Sequence, residues 1–126
     1  VEQMIEMSRE TPRLGFELAA TLKETGELIG GCGIHKAGYN AELGYTFNPA
    51  YWGSGYATES AFALLRFGFE ELDAHRIYAT CRPDNTPSAN VMKRLGMKRE
   101  GRLREHLFFK GGFHDSELYS ILRQEF

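Results

Sequence analysis

The clearest periodicity in the chain lies at 41–47. Ala41, Leu43, Tyr45 and Phe47 alternate with Glu42, Gly44 and Thr46, the period of two that marks a strand with one buried face. From Ala57 the period changes. Ala57, Ala61, Leu64, Leu65, Gly68 and Leu72 fall on one side of a 3.6-residue repeat, which predicts an amphipathic helix. Between the two, Asn48 and Pro49 stop the strand, and "YWGSGYATES" at 51–60 leads into the helix.

Upstream, apolar positions fill Leu14 to Leu22 and Leu28 to Ile34 around "KETGE", where Gly26 suits a turn with positive φ. This predicts a hairpin. Downstream, "HRIYATCRP" at 75–83 reads as a short, mostly apolar strand inside a sheet. "DNTPSANVMKRLG" at 84–96 predicts a second helix. Asn85 or Thr86 can cap it, Pro87 suits its first turn, Lys93 and Arg94 suit its last, and Gly96 can stop it. Two strands, about Met97 to Phe109 and Phe113 to Leu122, follow as a hairpin joined by "KGG" at 110–112. At the start, Met4, Ile5 and Met7 form a weak helical face that ends before Pro12, so the opening "VEQMIEMSRE" is expected to be the last turns of a helix. With no repeat or low-complexity segment, the order predicts one α/β domain over 1–126 with a mixed sheet.

Composition narrows the class without naming it. The 126 residues suffice for a real core, and a net charge of −2 argues against wholesale nucleic-acid binding. No apolar run reaches membrane-spanning length and no signal pattern opens the chain, so the expectation is a cytoplasmic protein without membrane contact. Cys32 and Cys81 lack CxxC spacing. No metal site is expected, and both thiols are expected to be small buried apolar residues.

The glycine loop is the candidate chemistry. "GSGYAT" is not a Walker A loop, since no Lys-Ser/Thr pair follows its glycines, nor a full dinucleotide fingerprint, since Thr58 stands where the third glycine belongs. Two readings remain on chemistry alone. The glycines make a tight strand-to-helix connection, or they bare N–H groups at a positive helix end where a pyrophosphate can sit.

"LGYTFNPAYWGSGYATESAFALLRFGFEEL", followed by "CRPDNTPSANVMKRLGMKREG", resembles the GNAT superfamily of acyl-CoA N-acyltransferases. It is most similar to the branch of ribosomal-protein N-terminal alanine and serine acetyltransferases. The similarity spans nearly all of 14–123. It implies a mixed, mostly antiparallel twisted sheet flanked by helices. The complete fold normally opens with a further strand and helices, so the chain is expected to lack those N-terminal elements and part of the acceptor side.

The superfamily loop reads Gln/Arg-x-x-Gly-x-Gly/Ala; Trp52, Gly55 and Ala57 hold those positions here. Trp52 departs from the general pattern but is usual in this branch. The resemblance implies that backbone N–H groups across Trp52, Gly53, Ser54, Gly55, Tyr56, Ala57 and Thr58 cradle the pyrophosphate of acetyl-CoA. It implies that "AELGYTF" splays from "HRIYATCRP", so that the backbone of Tyr45, Thr46 and Phe47 binds thioester and pantetheine. It implies that Asn85 holds the pantetheine arm and that Ser88 sits beside the sulfur. Read without the resemblance, Asn85 is a cap and Ser88 a first-turn residue.

Acetyl transfer to an amine needs a base, an oxyanion donor, help for the departing thiolate and alignment of the two substrates. Many members place a tyrosine acid where this chain has Met92, which cannot donate. Ser88 is the substitute, steadying the thiolate. Glu42, near the start of the central strand, is the candidate base acting through water; its other reading is an exposed edge charge. Glu105 and His106 are further polar candidates, Asp115 beside His114 is expected to support structure, and Glu59 to favour the helix dipole. Tyr39, Tyr51, Trp52, Phe108 and Phe109 either line an acceptor mouth or belong to the core.

The resulting expectation is an acetyl-CoA-dependent N-acetyltransferase acting on a protein N-terminus. The alternatives are an acetyltransferase for a small amine such as a polyamine, amino acid or antibiotic, and a truncated coenzyme A-binding module without catalysis. A homodimer that covers an exposed apolar patch is a further expectation.

Overall fold

In the computed structural model, residues 3–7, 15–47 and 55–126 are described. Seven strands, β1 (Gln3–Met7), β2 (Gly15–Leu22), β3 (Leu28–Ala37), β4 (Asn40–Phe47), β5 (Arg76–Cys81), β6 (Lys98–Phe109) and β7 (Gly112–Leu122), form one sheet in the order β1-β2-β3-β4-β5-β7-β6. Helix α1 (Tyr56–Glu70) links β4 to β5, and α2 (Thr86–Arg94) links β5 to β6. Among the described strands only β4 and β5 run parallel. A parallel pair needs a long crossover, and α1 supplies it. The sheet is therefore mixed and mostly antiparallel, as expected.

The opening segment corrects the sequence reading. Residues 3–7 are not helical; they pair antiparallel with β2, from Gln3↔Leu22 to Met7↔Leu18. The five-residue run is too short for its weak periodicity to specify a helix, and the outer edge of β2 offers a row of backbone partners. The two hairpins stand where expected. Lys110 (φ 50°) and Gly111 (φ 77°) make the two-residue turn between Phe109 and Gly112, the positive-φ pair that matches strand twist.

Both helices contribute to one core against the sheet. Ala41 and Leu43 of β4, Ile77, Ala79 and Cys81 of β5, and Leu64, Leu65 and Phe69 of α1 meet there with Met92 and Leu95. Each fully buried Leu or Ile contributes about 1.5–3 kcal/mol. The buried face of α1 also takes in Ser60 and Phe69, while Ala57 and Leu72 are only half-buried. Gly68 sets the approach of α1: a Cβ there would lie 2.6 Å from Ile34 Cδ1 and 2.7 Å from Ile77 Cδ1. Cys32 and Cys81 are free and buried, and burial pushes the Cys32 thiol up to about 11, as expected of inert core thiols. No helix among the described residues is long and apolar enough to cross a membrane.

Candidate active site

The sheet opens between β4 and β5. The two strands pair only at Asn40↔Arg76, Ala41↔Ile77 and Glu42↔Tyr78. Beyond that point β4 stays attached to β3 as far as Phe47↔Gly30, and β5 stays attached to β7 as far as Cys81↔Glu117. Each strand is pinned on its outer edge, so the inner backbone edges of 43–47 and 79–81 face a wedge-shaped gap. Tyr45, Thr46 and Phe47 all lie on that stretch.

Both helices begin at this end of the sheet. Gly55, at φ +83°, precedes α1 in the left-handed conformation that glycine adopts without strain, and no heavy atom of the described residues lies within 4 Å of where its Cβ would be. The first intrahelical bond runs from Glu59 N–H to Gly55 O at 2.9 Å. The N–H groups of Ala57 and Thr58 fall in the first turn of α1, at its positive end. Trp52, Gly53 and Ser54 lie outside the described residues, as does Tyr51.

α2 begins at Asn85, whose Oδ1 accepts the Ser88 N–H at 3.2 Å. The capping reading of Asn85 is thus realised. Ser88, one turn in, meets Tyr45 across the mouth of the gap. The Tyr45 phenol donates to the Ser88 carbonyl at 3.0 Å, and the two hydroxyl oxygens are 3.1 Å apart. Burial pushes the Tyr45 phenol up to about 12, with the Ser88 hydrogen bond opposing the shift. Met92 is buried in the core instead.

Glu42 points the other way. Strand alternation puts Tyr45 on the helix side and Glu42 on the open side of the sheet. There Glu17, His35, Glu42 and Thr46 rim a groove of about 460 Å³ whose floor includes Gly31, Gly33 and Gly44. His35 pairs with Glu42 across the β3–β4 ladder, and its Nε2 lies 3.2 Å from Glu17 Oε1. A Cβ on Gly33 would lie 2.6 Å from Glu17 Oε2 and 3.0 Å from the Phe16 carbonyl, so a side chain there would displace the Glu17 carboxylate. Tyr78, the partner of Glu42 on β5, has its phenol raised by burial first and then by the Glu42 carboxylate.

The candidate catalytic residues thus divide between the two sides of the sheet, and the gap lies between them. His35, Glu17 and the Tyr45 hydroxyl were not singled out from sequence. The β3–β4 hairpin register, read from the turn at Gly38 and Tyr39, would have placed His35 opposite Glu42. The contact of Tyr45 with Ser88 spans 43 residues and left no local signal.

Other sequence candidates do not join this site. Tyr39 is 79% exposed at the β3–β4 turn. Phe108 packs edge-on against Phe113, and Phe109 stacks on His114 at 4.0 Å with Arg82 above it at 4.3 Å. None of these three aromatics lines the groove. Asp115 accepts the N–H of Glu105 at 2.8 Å, where Glu105 has φ +49° in a bulge of β6; its structural role is as expected. His106 Nδ1 lies 2.9 Å from Ser116 Oγ. Glu117 is clamped by Arg99 Nε at 2.5 Å and Arg102 Nε at 2.8 Å, which hold its carboxyl down at about 2.

The comparisons with known proteins agree with this architecture. The acetyltransferase (GNAT) domain model matches residues 1–98. The chain is 46% identical over 84 residues to the uncharacterized N-acetyltransferase YnaD of Bacillus subtilis, covering 67% of this chain and 49% of that protein. It is 26% identical over 86 residues to the spermidine N(1)-acetyltransferase of Escherichia coli, covering 68% of this chain and 46% of that protein. Among solved structures, a GNAT-family acetyltransferase of Bacillus anthracis superposes with a TM-score of 0.79 at 40% identity, covering 86% of this chain and 67% of that one. The ribosomal-protein-S5-alanine acetyltransferase of Vibrio fischeri gives 0.83 at 25% identity, covering 89% and 63%. Mycobacterium smegmatis RimJ in complex with CoA-disulfide gives 0.80 at 33%, covering 88% and 54%. The chain spans about half the length of the curated relatives YnaD and the spermidine enzyme, and the relatives divide between ribosomal-protein and polyamine acetyltransferases without favouring one branch. By its matched residues and its fold, the chain belongs to the GNAT family of acetyltransferases.

Proposed function

We propose that the protein transfers an acetyl group from acetyl-CoA to a primary amine by direct attack in a ternary complex. The observation that carries this reading is the gap between β4 and β5, with Ser88 on the helix side and Glu42 on the open side. An amine entering from the groove attacks through the gap, and the thiolate departs on the opposite side. Attack on the thioester carbonyl gives a tetrahedral centre whose oxyanion collapses with loss of the thiolate, and the two sides of the gap keep amine and thioester within reach of each other.

The residues fit the co-substrate. The N–H groups of Ala57 and Thr58 in the first turn of α1, behind a Gly55 at φ +83°, suit a pyrophosphate. Gly53 and Ser54 precede them in the motif. The backbone of Tyr45, Thr46 and Phe47 faces the gap and takes the pantetheine as a strand would take a neighbour, while an N–H on this stretch serves the developing oxyanion. Asn85 keeps its amide NH₂ for the pantetheine while its oxygen caps α2. Acetyl-CoA supplies the activated acetyl thioester. Glu42 takes the amine proton through water; an α-amine titrates near 8, so a modest base suffices. Ser88 donates a hydrogen bond to the departing sulfur.

The acceptor we favour is the N-terminal amine of a protein, for which the glycine floor of the groove offers room to lay an extended chain. A polyamine is the second reading, favoured by the two carboxylates, Glu17 and Glu42, on one groove. The first test is the melting temperature with acetyl-CoA, and with ATP and NADH as controls. A ligand at 100 times its Kd stabilises by about 2.7 kcal/mol. A rise confined to acetyl-CoA supports the cradle; no rise overturns it. Turnover of peptides with free Ala or Ser N-termini, against turnover of spermidine, then separates the two acceptors. Binding without turnover of any amine would favour a coenzyme A-binding module instead.

A further inference from the structure

Ser88 by itself is a poor device for steadying a thiolate. Its hydroxyl rotates among three staggered positions, and near a helix N-terminus it has local backbone partners to distract it. In this fold the hydroxyl is met from across the gap. Tyr45 reaches from the stretch of β4 not paired with β5 to the first turn of α2, anchors its phenol on the Ser88 carbonyl at 3.0 Å and brings its oxygen 3.1 Å from Ser88 Oγ. The ring is held by packing against the core, and the partly buried Tyr56 and Ala57 of α1 pack with it against Ala20 and Ile29. We propose that Tyr45 is a positioning residue for the leaving group: its phenol O–H, shared between the Ser88 carbonyl and Ser88 Oγ, holds the serine oxygen in place and leaves the Ser88 proton to the departing sulfur. The proposal rests on the acetyltransferase reading above and deepens it.

The bookkeeping closes without either hydroxyl losing its proton. The amine nitrogen forms a bond to the acetyl carbon and the carbon–sulfur bond breaks. The amine proton passes through water to Glu42 and on to solvent. The thiolate, held by the Ser88 O–H, takes a proton from water. With its phenol raised by burial to about 12, Tyr45 stays protonated throughout the working range and keeps its anchor on the Ser88 carbonyl. A phenol elsewhere in the fold, on α2 in place of Met92, is therefore not needed. The phenol comes instead from β4 and acts through a serine.

The test uses the intact protein and three variants, Tyr45→Phe, Ser88→Ala and the double variant, with kcat, KM for both substrates, acetyl-CoA affinity and Tm measured for each. Tyr45→Phe keeps the ring and removes only the oxygen. Expected is a fall in kcat of about tenfold for Tyr45→Phe, the worth of one ordered hydrogen bond, with acetyl-CoA affinity within about twofold of wild type. The double variant is expected to be no slower than Ser88→Ala alone, since Tyr45 acts only through Ser88. A wild-type kcat in Tyr45→Phe overturns the proposal, and so do multiplying effects in the double variant. So does a loss carried by acetyl-CoA affinity or by Tm, which marks a packing role. If wild type itself binds acetyl-CoA but acetylates no amine, the acetyltransferase reading fails first and takes this proposal with it.

Discussion

Replacing Gly44 by valine tests the groove at its floor. Gly44 lies on the open face of β4, opposite Gly33 on β3, and a Cβ there would meet no heavy atom of the described residues within 4 Å. The β-carbon itself therefore meets no clash among them. Glycine in a strand costs about 0.5–1 kcal/mol relative to a residue with a side chain, and valine suits a pleated surface. Recovering that much raises Tm by about 2–6 °C in a domain of this size. The same side chain stands between Glu42 and Thr46 and narrows the floor toward Glu17. An ammonium kept from its carboxylate loses a charge-assisted hydrogen bond worth about 1.5–3 kcal/mol, so kcat/KM for the amine should fall about 10- to 100-fold. Acetyl-CoA affinity should hold, since the valine side chain points away from the helix side. The assay varies the amine, peptide or spermidine, at saturating acetyl-CoA. An unchanged kcat/KM in a variant at least as stable as wild type would refute the groove as the acceptor site, and a fall in Tm would refute the open floor.

Glu42→Gln should lower kcat about 100-fold while leaving acetyl-CoA affinity intact; equal turnover would remove Glu42 from the chemistry. Gly55→Glu puts a negative charge and a β-carbon at a φ of +83°, so calorimetric titration should show no acetyl-CoA binding, and wild-type affinity would sink the pyrophosphate assignment. Glu117 supplies a pH dependence. Hydrogen bonds from Arg99 and Arg102 depress its carboxyl from 4.5 to about 2. The stabilisation is present above 4.5 and is lost as pH falls toward 2. Tm should therefore drop through that window, and the drop should flatten in Glu117→Gln; matching acid limbs would refute the clamp.

The elements themselves were legible where local rules point one way. The alternation at Ala41–Phe47, the cap at Asn85 and the Lys110–Gly111 turn each depend on residues close in sequence, and each stands in the fold as read. Local rules failed at 3–7, where the decisive partner is the edge of β2, which no window of sequence contains. They also misplaced the aromatics. Tyr39 and Phe108 are large and apolar enough for a binding mouth, but the ends of hairpins carry them away from the groove.

The sequence by itself determined the strand and helix periods, the glycine loop ahead of α1 and the family that these imply, because such signals are written in spacings of a few residues. The same spacing puts Glu42 and Tyr45 on opposite faces of their strand, and only the tertiary structure decided what each meets there. What they meet there, His35 on one side and Ser88 on the other, is set by strand register and by the crossover through α1. The gap between β4 and β5 is likewise a property of the sheet: its two strands are gripped from outside, by β3 and by β7. The β3–β4 pairing is written in a short turn, but the pairings of β5 with β4 and β7 and the Tyr45–Ser88 contact join parts of the chain too distant for any local spacing to record.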